Sequence, residues 1–334
     1  MRMVQSVIGI DIGGANLKAA RPNGEARSRP FELWKHPDLL AEALRDLLND
    51  WQPARLAITM TGELCDCFET KRDGVRHILA EVERASPQPI IRVWSTSGRF
   101  LSGNEARQEP LAVSAANWHA LATYAGHCQV PVGMAILLDV GSTTSDIIPI
   151  QDGVPEPTGR TDIERLQSKE LVYTGAQRTP ICALLQDGMA AELFATTRDA
   201  YLVLGAIAED ANDRQTADGR PATRLHAHAR LSRMLGGDPE LTTMDETYQL
   251  ASIAHGKQRS LLLDALQAVA NRMPSPPRAV VLAGSGEFLA RAAWNDYAHL
   301  LQRDMAVISL AEELGSVTSS AACAYAVAVL AEKE

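Results

Sequence analysis

The chain has 334 residues and a mass of 36.1 kDa, and 46% of its residues are hydrophobic while 22% are charged. This length suits two domains of ordinary size, and the composition excludes a disordered or membrane-embedded chain. The net charge of −9 and the pI near 5.4 argue against general binding to nucleic acids or anionic membranes. A bound phosphate must therefore be held by local backbone groups, a metal and a few cations.

The cysteine count and the ends of the predicted elements bear on localisation. Five cysteines are scattered along the chain, and this odd number argues against a disulfide framework. A predicted strand begins within the first few residues, which leaves no room for a signal peptide, and no apolar run is long enough to span a bilayer. We therefore expect a cytoplasmic protein.

Residues 8–20, IGIDIGGANLKAA, predict a strand, a glycine turn and a second strand. Gly13 and Gly14 permit a tight turn whose backbone N–H groups can face an anion. Asp11, just before the turn, can hold a divalent cation directly or through water. The pattern predicts a phosphate loop, although a carboxylate followed by two glycines also occurs in ordinary hairpins.

A helix is predicted over residues 37–49 from the spacing of its leucines, and a strand over residues 55–61. Glu63 and Asp66 follow that strand. Polar groups at the carboxyl end of a strand are well placed for a cleft in an α/β protein. Both acids are therefore candidate site residues, and a surface or capping role is the alternative for each.

Residues 97–109 are polar and contain glycines, so we expect a loop that could close over a ligand. A helix is predicted over residues 111–124 and carries Asn117 and Trp118. Both could line a cleft, but an aromatic residue on such a helix is more typical of a core.

Residues 137–150, LLDVGSTTSDIIPI, repeat the design of the first hairpin. An apolar strand is followed by Asp139, a glycine, a run of hydroxyl residues, Asp146 and a second apolar strand. Two such hairpins suggest two similar subdomains that face each other across a cleft. We predict a first lobe over residues 1–132 and a second lobe over residues 133–334.

Residues 171–185, LVYTGAQRTPICALL, contain a single charged residue, Arg178. A cation beside Thr174, Gly175 and Thr179 is a candidate clamp for an anion or a carboxylate. A salt bridge to a neighbouring acid is an equal alternative.

A third glycine element lies in residues 280–290, VVLAGSGEFLA, where a strand runs into Gly284, Ser285 and Gly286 and then into a helix. In order and spacing, the three elements resemble the first phosphate, second phosphate and adenosine motifs of the superfamily that contains actin, Hsp70-type ATPases and sugar kinases. The resemblance implies an α/β, two-lobed, ribonuclease H-like fold with a ligand cleft between the lobes.

The chain is also similar to a family within this superfamily, described as tetrahydromethanopterin-linked one-carbon-transfer proteins and related to hydantoinase A and oxoprolinase. The resemblance covers most of the chain and runs through IGIDIGGANLKAA, TGELCDCFETK, LLDVGSTTSDIIPI and YTGAQRTPICALL. Archaeal relatives are methanofuran-biosynthesis synthases, which join a phosphate-activated aminomethyl-furanmethanol to the phenol of γ-glutamyltyramine and release diphosphate. The resemblance thus implies a Mg²⁺-dependent transferase that acts on a phosphorylated furan and a phenolic or tyrosine-containing acceptor. A homodimer is left open.

The resemblance also implies roles for individual residues. Asp11 and Asp139 would set the metal, while Asp11 or Asp146 would be the base toward the phenol. Lys18 or Arg178 would grip the diphosphate. Independently of the resemblance, their positions in the sequence make Glu63, Asp66, Asn117 and Arg178 candidates for contacts with the substrates. Phosphate oxygens would be received by Gly13, Gly14, Asn16, Gly141, Ser142, Thr143, Thr144, Gly284, Ser285 and Gly286.

Three functions compete at this point. The GSGE sequence is less permissive than the glycine-richer adenosine motifs, which argues against ATP and favours phosphate loops that hold a diphosphate leaving group. An ATP-dependent small-molecule kinase or a hydantoinase/oxoprolinase-like hydrolase is the alternative. A non-catalytic protein of the same fold is a third reading, since fold does not fix function, but the retained acids Asp11 and Asp139 speak against it.

Overall fold

The computed structural model describes residues 6–334, and these residues form twelve β-strands and thirteen α-helices. The strands are β1 (Val7–Ile12), β2 (Asn16–Ala20), β3 (Ala26–Pro30), β4 (Arg55–Met60), β5 (Ile90–Trp94), β6 (Phe100–Ser102), β7 (Met134–Val140), β8 (Ser145–Gln151), β9 (Val154–Pro155), β10 (Leu171–Val172), β11 (Ala279–Ala283) and β12 (Ala306–Ser309). The helices of the first half are α1 (Leu40–Leu48), α2 (Lys71–Ala85), α3 (Gly103–Gln108), α4 (Pro110–Val113), α5 (Asn117–Cys128) and α6 (Asp162–Ser168). Those of the second half are α7 (Ile181–Leu185), α8 (Thr197–Leu204), α9 (Arg224–Met234), α10 (Met244–Ala270), α11 (Glu287–Leu301), α12 (Leu310–Ser320) and α13 (Ala322–Glu332).

The chain divides into two compact units. The first unit contains the described residues through Ala135, together with Ile150–Asp162 and Ile308–Glu334. The second unit contains Ile136–Pro149 and Ile163–Val307. The predicted boundary between residues 132 and 133 lies close to the first crossing, but the structure differs from the prediction because the C-terminal segment belongs to the first unit.

The first sheet has the strand order β3-β2-β1-β4-β5-β6. β1 pairs in parallel with β4, and β4 with β5, whereas the β1–β2, β2–β3 and β5–β6 pairs are antiparallel. Alternate residues of β1, namely Ile8, Ile10 and Ile12, enter a hydrophobic core with α1 and α2. The carboxyl ends of β1 and β4 consequently lie side by side, and the predicted site acids follow them.

The opposite face of the first sheet is covered by the alanine-rich helix α13. A Cβ atom at Gly9 of β1 would lie only 1.9 Å from the carbonyl oxygen of Ala324, so the helix approaches the strand as closely as a glycine allows. This packing explains why the C-terminal segment returns to the first unit.

The second sheet has the order β10-β8-β7-β11-β12, with β9 paired to β8. This order repeats that of the first sheet, because a hairpin supplies the neighbouring strands β7 and β8 and a later strand, β11, lies on the other side of β7. Val280 and Leu282 of β11 share a core with Leu262 and Leu266 of the 27-residue helix α10. The predicted repetition of subdomain design is confirmed at the level of strand order.

One local prediction differs from the structure. The expected loop over residues 97–109 contains β6 and the helix α3, which begins with a capping box between Ser102 and Glu105. At the C-terminal end, α12 begins at Leu310 and has a kink at Gly315, and α13 follows it. No single helix among residues 6–334 is long and apolar enough to cross a membrane, and α12 and α13 reach that length only as a pair bent by 99°.

Candidate functional site

The first glycine hairpin joins β1 to β2 at the carboxyl end of β1. The Gly13 N–H donates to the carbonyl oxygen of Asn16 at 3.0 Å and closes a turn made of Gly14 and Ala15. Within residues 6–334, the N–H groups of Gly14 and Ala15 have no hydrogen-bond acceptor. Two adjacent backbone donors are therefore available to an anion at this turn.

Asp11 precedes this turn and lies opposite Lys18 in the β1–β2 register. Its side chain is 8% exposed, and its Oδ1 atom is buried without a hydrogen-bond partner among the described residues. Burial raises the pKa of Asp11, and the positive charge of Lys18 opposes that shift. A buried carboxylate oxygen without a partner is stabilised by a cation placed beside it.

The second glycine hairpin joins β7 to β8 and repeats the same closure. The Gly141 N–H donates to the carbonyl oxygen of Thr144 at 2.9 Å, so Ser142 and Thr143 form the turn. The N–H groups of these two residues, like those of the first turn, lack an acceptor in the described chain. Counting outward from the closing bond places Asp146 opposite Asp139, where the first hairpin has Lys18 opposite Asp11.

Asp146 forms an ion pair with Arg165 of α6, whose side chain is 1% exposed. The same guanidinium donates to the carbonyl oxygen of Glu170 at 3.3 Å. Arg165 neutralises Asp146 and competes for its oxygens, which disfavours the predicted role of Asp146 as the base.

Sequence reasoning missed Arg165, and the hydrophobic pattern of α6 points the wrong way. Ile163 and Leu166 of this helix are exposed while Arg165 is buried, so its apolar residues do not mark its inner face.

The loop after β10 is hydrogen-bonded to the second turn. The N–H of Ala176 donates to the Gly141 oxygen at 2.9 Å, and those of Gln177 and Arg178 donate to the Ser142 oxygen at 3.0 and 2.9 Å. A Cβ atom at Gly175 would lie 2.5 Å from the Thr143 nitrogen, so this position requires glycine. The structure thus brings the backbone of Arg178 to the second turn, and its side chain is exposed.

The third glycine element also packs on the second hairpin. Gly286 donates its N–H to the Val140 oxygen at 2.8 Å, and Ser285 is exposed. Gly284 has φ = +89°, and a Cβ atom there would lie 2.3 Å from Oδ1 of Asp139. This arrangement differs from the predicted phosphate-binding role. The Gly286 N–H already donates to Val140, and Gly284 allows the backbone to lie close to Asp139.

Glu63 lies directly after β4, on a single 3₁₀ turn (Gly62–Leu64). Its side chain is 1% exposed, its Oε1 accepts a hydrogen bond of 2.5 Å from the Ser114 hydroxyl, and its Oε2 has no hydrogen-bond partner in the described chain. Burial raises the pKa of Glu63 from 4.5 to about 7, while Ser114, nearby backbone N–H groups and Lys71 oppose the shift. Glu63 is thus a buried acid whose pKa lies near neutral pH. Its hydrogen-bond partner Ser114 was not among the residues predicted from the sequence.

The remaining predicted residues are more peripheral. Asp66 is exposed, and Asn117 is partly exposed at the first position of α5. Trp118 is buried, as expected for a core aromatic. Within residues 6–334 there is no cluster of three or more acids, histidines or cysteines that could enclose a metal.

Comparisons with known proteins complete this description. The hydantoinase/oxoprolinase family model matches residues 55–333. The chain is 34% identical over 339 residues to the (4-{4-[2-(gamma-L-glutamylamino)ethyl]phenoxymethyl}furan-2-yl)methanamine synthase of Methanocaldococcus jannaschii, and the match covers 98% of each chain. A synthase of the same name from Methanococcus vannielii is 32% identical over 60% of this chain and 91% of that protein.

Among solved structures, a ROK family glucokinase from Streptomyces griseus in complex with glucose and AMPPNP is similar to this chain. The TM-score is 0.52 at 13% identity, with 98% of this chain and 100% of that chain covered. This likeness concerns the fold alone, and the predicted α/β fold, similar to that of this sugar kinase, is confirmed.

Proposed function

The chain belongs to the hydantoinase/oxoprolinase family, and from this premise we propose that it is a transferase of methanofuran biosynthesis. It condenses an aminomethyl-furanmethanol diphosphate with the phenol of a γ-glutamyltyramine-like or tyrosine-containing acceptor. The products are an aryl ether and diphosphate.

The observation that carries this proposal is the 34% identity to the M. jannaschii synthase over 98% of both chains. The name of that relative describes a phenoxymethyl-furan, in which a phenol oxygen is joined to a furanylmethyl carbon. Such a bond forms when the phenol displaces a leaving group from that carbon. The electron-rich furan ring spreads positive charge that develops at the carbon, so loss of diphosphate is chemically reasonable.

The two glycine hairpins suit a diphosphate leaving group. Each turn offers two adjacent N–H donors, Gly14 and Ala15 in the first and Ser142 and Thr143 in the second. Lys18 adds a positive charge to the first hairpin, opposite Asp11. Donors aimed at the oxygen where negative charge develops stabilise the transition state.

The first hairpin fits Mg²⁺ as a cofactor. The buried Oδ1 of Asp11 lacks a hydrogen-bond partner among the described residues, and its pKa is raised by burial, so a cation there would relieve an uncompensated charge. Mg²⁺ commonly uses one or two carboxylates and keeps waters and substrate oxygens as its other ligands, so it needs no cluster of three protein acids. Asp11 would hold the ion, which would supply positive charge to the diphosphate.

Isothermal titration of the purified protein with magnesium diphosphate and, separately, with magnesium ATP tests the proposal. We expect saturable binding of diphosphate and no heat from ATP. ATP binding followed by hydrolysis would overturn the proposal and favour the kinase or hydantoinase-like hydrolase instead.

A further inference from the structure

Ether formation requires a group that accepts the phenolic proton. Glu63 and Ser114 lie together in the first unit and are joined by a short hydrogen bond. We propose that the Glu63–Ser114 pair accepts the proton of the phenol during attack on the furanylmethyl carbon. This inference rests on the function proposed above and names the acid–base group of that reaction.

The pair lies next to the first glycine hairpin. The Thr61 N–H, at the end of β4, donates to the Ile12 oxygen at 3.0 Å. A Cβ atom at Gly62 would lie 3.1 Å from the same oxygen and 3.4 Å from the carbonyl carbon of Gly13. The turn that carries Glu63 therefore contacts the hairpin that we assign to diphosphate.

The surrounding structure fixes Glu63 in place. A Cβ atom at Gly74 of α2 would lie 2.7 Å from the Cα and carbonyl oxygen of Glu63, so the helix packs directly on this residue. From the other side, Ser114 sits between α4 and α5, and its neighbour Ala115 has φ = +46°. A left-handed alanine is strained and persists only where its surroundings impose it, and such strain clusters at functional sites.

Glu63 also has spare hydrogen-bonding capacity. Its Oε2 is buried and makes no hydrogen bond within residues 6–334, an arrangement that costs stability and is rarely kept without a use. Lys71 of α2 is the charged group that acts on Glu63, and Lys71 is itself paired with Asp162 at 3.1 Å. With a pKa of about 7, the carboxyl group is available in both protonation states near neutral pH.

The other two candidate bases have different partners. Asp146 is neutralised by the buried guanidinium of Arg165. Asp11 lies opposite Lys18 at the diphosphate hairpin and is the better metal ligand of the first unit. Glu63 lies near this hairpin, and its carboxylate is hydrogen-bonded to Ser114 and not to Arg165 or Lys18.

The phenol oxygen forms a bond to the furanylmethyl carbon while the C–O bond to diphosphate breaks, and diphosphate leaves with the electron pair. The phenolic proton passes to the Ser114 oxygen as the Ser114 proton passes to Oε1 of Glu63, which becomes a neutral carboxylic acid. Ser114 is the more exposed member of the pair, so the phenol need not reach the buried carboxylate directly.

The test uses Glu63→Gln and Ser114→Ala with two acceptors, the ordinary phenol and a ring-fluorinated phenol that is ionised at the assay pH. With the ordinary phenol we expect ether formation to fall about 10²- to 10⁴-fold in both variants, the usual contribution of general acid–base catalysis. With the fluorinated phenol we expect the rate of each variant to return to within about tenfold of wild type, because no proton remains to be accepted.

Glu81→Gln is the matched control, because Glu81 is another buried glutamate of the first unit and bonds to the Ala41 N–H and to Arg84. It should retain the wild-type rate with both acceptors. A wild-type rate in Glu63→Gln or Ser114→Ala, or an equal loss with both acceptors, would overturn the assignment. Absence of ether from the wild-type protein would instead overturn the proposed function.

Discussion

The two glycine hairpins have the same backbone hydrogen bond across the turn, but their side chains differ. Each closes with a hydrogen bond across a two-residue turn, Gly13 to Asn16 and Gly141 to Thr144. In the first hairpin an acid faces the half-buried Lys18, and the buried oxygen of the acid lacks a hydrogen-bond partner among the described residues. In the second, an acid faces another acid, which a buried arginine neutralises.

This difference suggests a division of labour. In our proposal, the first hairpin keeps a carboxylate and an amine for a metal and a leaving group, and it buries charge without full compensation. The second hairpin carries hydroxyl groups at its turn, and its acid Asp146 is joined to Arg165 in an ion pair that holds α6 in place. The same turn can thus serve chemistry in one unit and combine anion binding with structure in the other.

The largest expected effect comes from the acids that precede the turns. Asp11→Asn should slow ether formation roughly 10³-fold, because a cation holder worth several kcal/mol is lost. It should also raise the free energy of unfolding, since an unpaired buried charge is removed. Asp139→Asn should abolish metal-dependent turnover with the fold intact. Steady-state rates and urea unfolding of both variants check this, and near-normal activity in either would contradict the metal assignment.

Removing Arg165 tests whether its ion pair with Asp146 stabilises the folded protein. Arg165→Met should lower the free energy of unfolding by about 3–5 kcal/mol, because it removes the buried guanidinium that pairs with Asp146. Lys18→Met, which removes the cation opposite Asp11 in the first hairpin, should change the free energy of unfolding by less than about 1 kcal/mol, since that ammonium is half-buried. Urea unfolding measures both.

The double variant Asp146→Asn/Arg165→Met provides the control. It should regain most of the lost stability, because no isolated charge is left. A loss as large as that of Arg165→Met alone would show that packing, not charge, explains the effect.

The acids of the first unit predict a pH dependence. Since burial raises the pKa of Glu63 from 4.5 to about 7, the folded protein binds more protons than the unfolded chain within this window. The stability contributed by protonated Glu63 is complete below pH 4.5 and is lost as the pH rises through 7. The expected loss is about 3 kcal/mol, and Asp11 acts in the same direction.

Urea unfolding of wild type and Glu63→Gln at about pH 5 and about pH 8 measures this linkage. Between the lower and the higher pH, the free energy of unfolding should fall less in Glu63→Gln than in wild type, because the glutamine does not titrate. Parallel pH profiles of the two proteins would contradict a raised pKa at Glu63.

The smallest expected effect concerns the hydroxyl groups of the second turn. Ser142→Ala should weaken binding of magnesium diphosphate about tenfold, the cost of one hydrogen bond to a charged group. Ser145→Ala removes a hydroxyl that donates to the Thr174 oxygen at 2.8 Å, so its binding should stay near wild type. Titration calorimetry of both variants decides, and equal affinities for Ser142→Ala and wild type would exclude the Ser142 hydroxyl as an anion ligand.

Much of this arrangement could be predicted from local sequence, because glycines and acids at fixed spacing after apolar strands specify a hairpin with few alternatives. Both hairpins and the strands after them follow from such patterns. The sequence of α3 predicts a loop because it is polar and has no apolar face, but Ser102 and Glu105 form a capping box that begins a helix there.

Long-range partners could not be predicted in this way. Arg165 and Asp146 are 19 residues apart, and Ser114 and Glu63 are 51 residues apart, so no local pattern joins them. The return of α13 to β1 depends on Gly9, whose role is apparent only once Ala324 lies against it. Local chemistry identified where the site begins, and tertiary packing decided which acids have partners.

Product analysis tests the central proposal most directly. The wild-type protein would be incubated with Mg²⁺, the aminomethyl-furanmethanol diphosphate and γ-glutamyltyramine in the absence of ATP, and the ether and diphosphate would be quantified by mass spectrometry and a diphosphate assay. We expect the two products in equal amounts. Absence of the ether, together with turnover of ATP when it is added, would contradict the proposal.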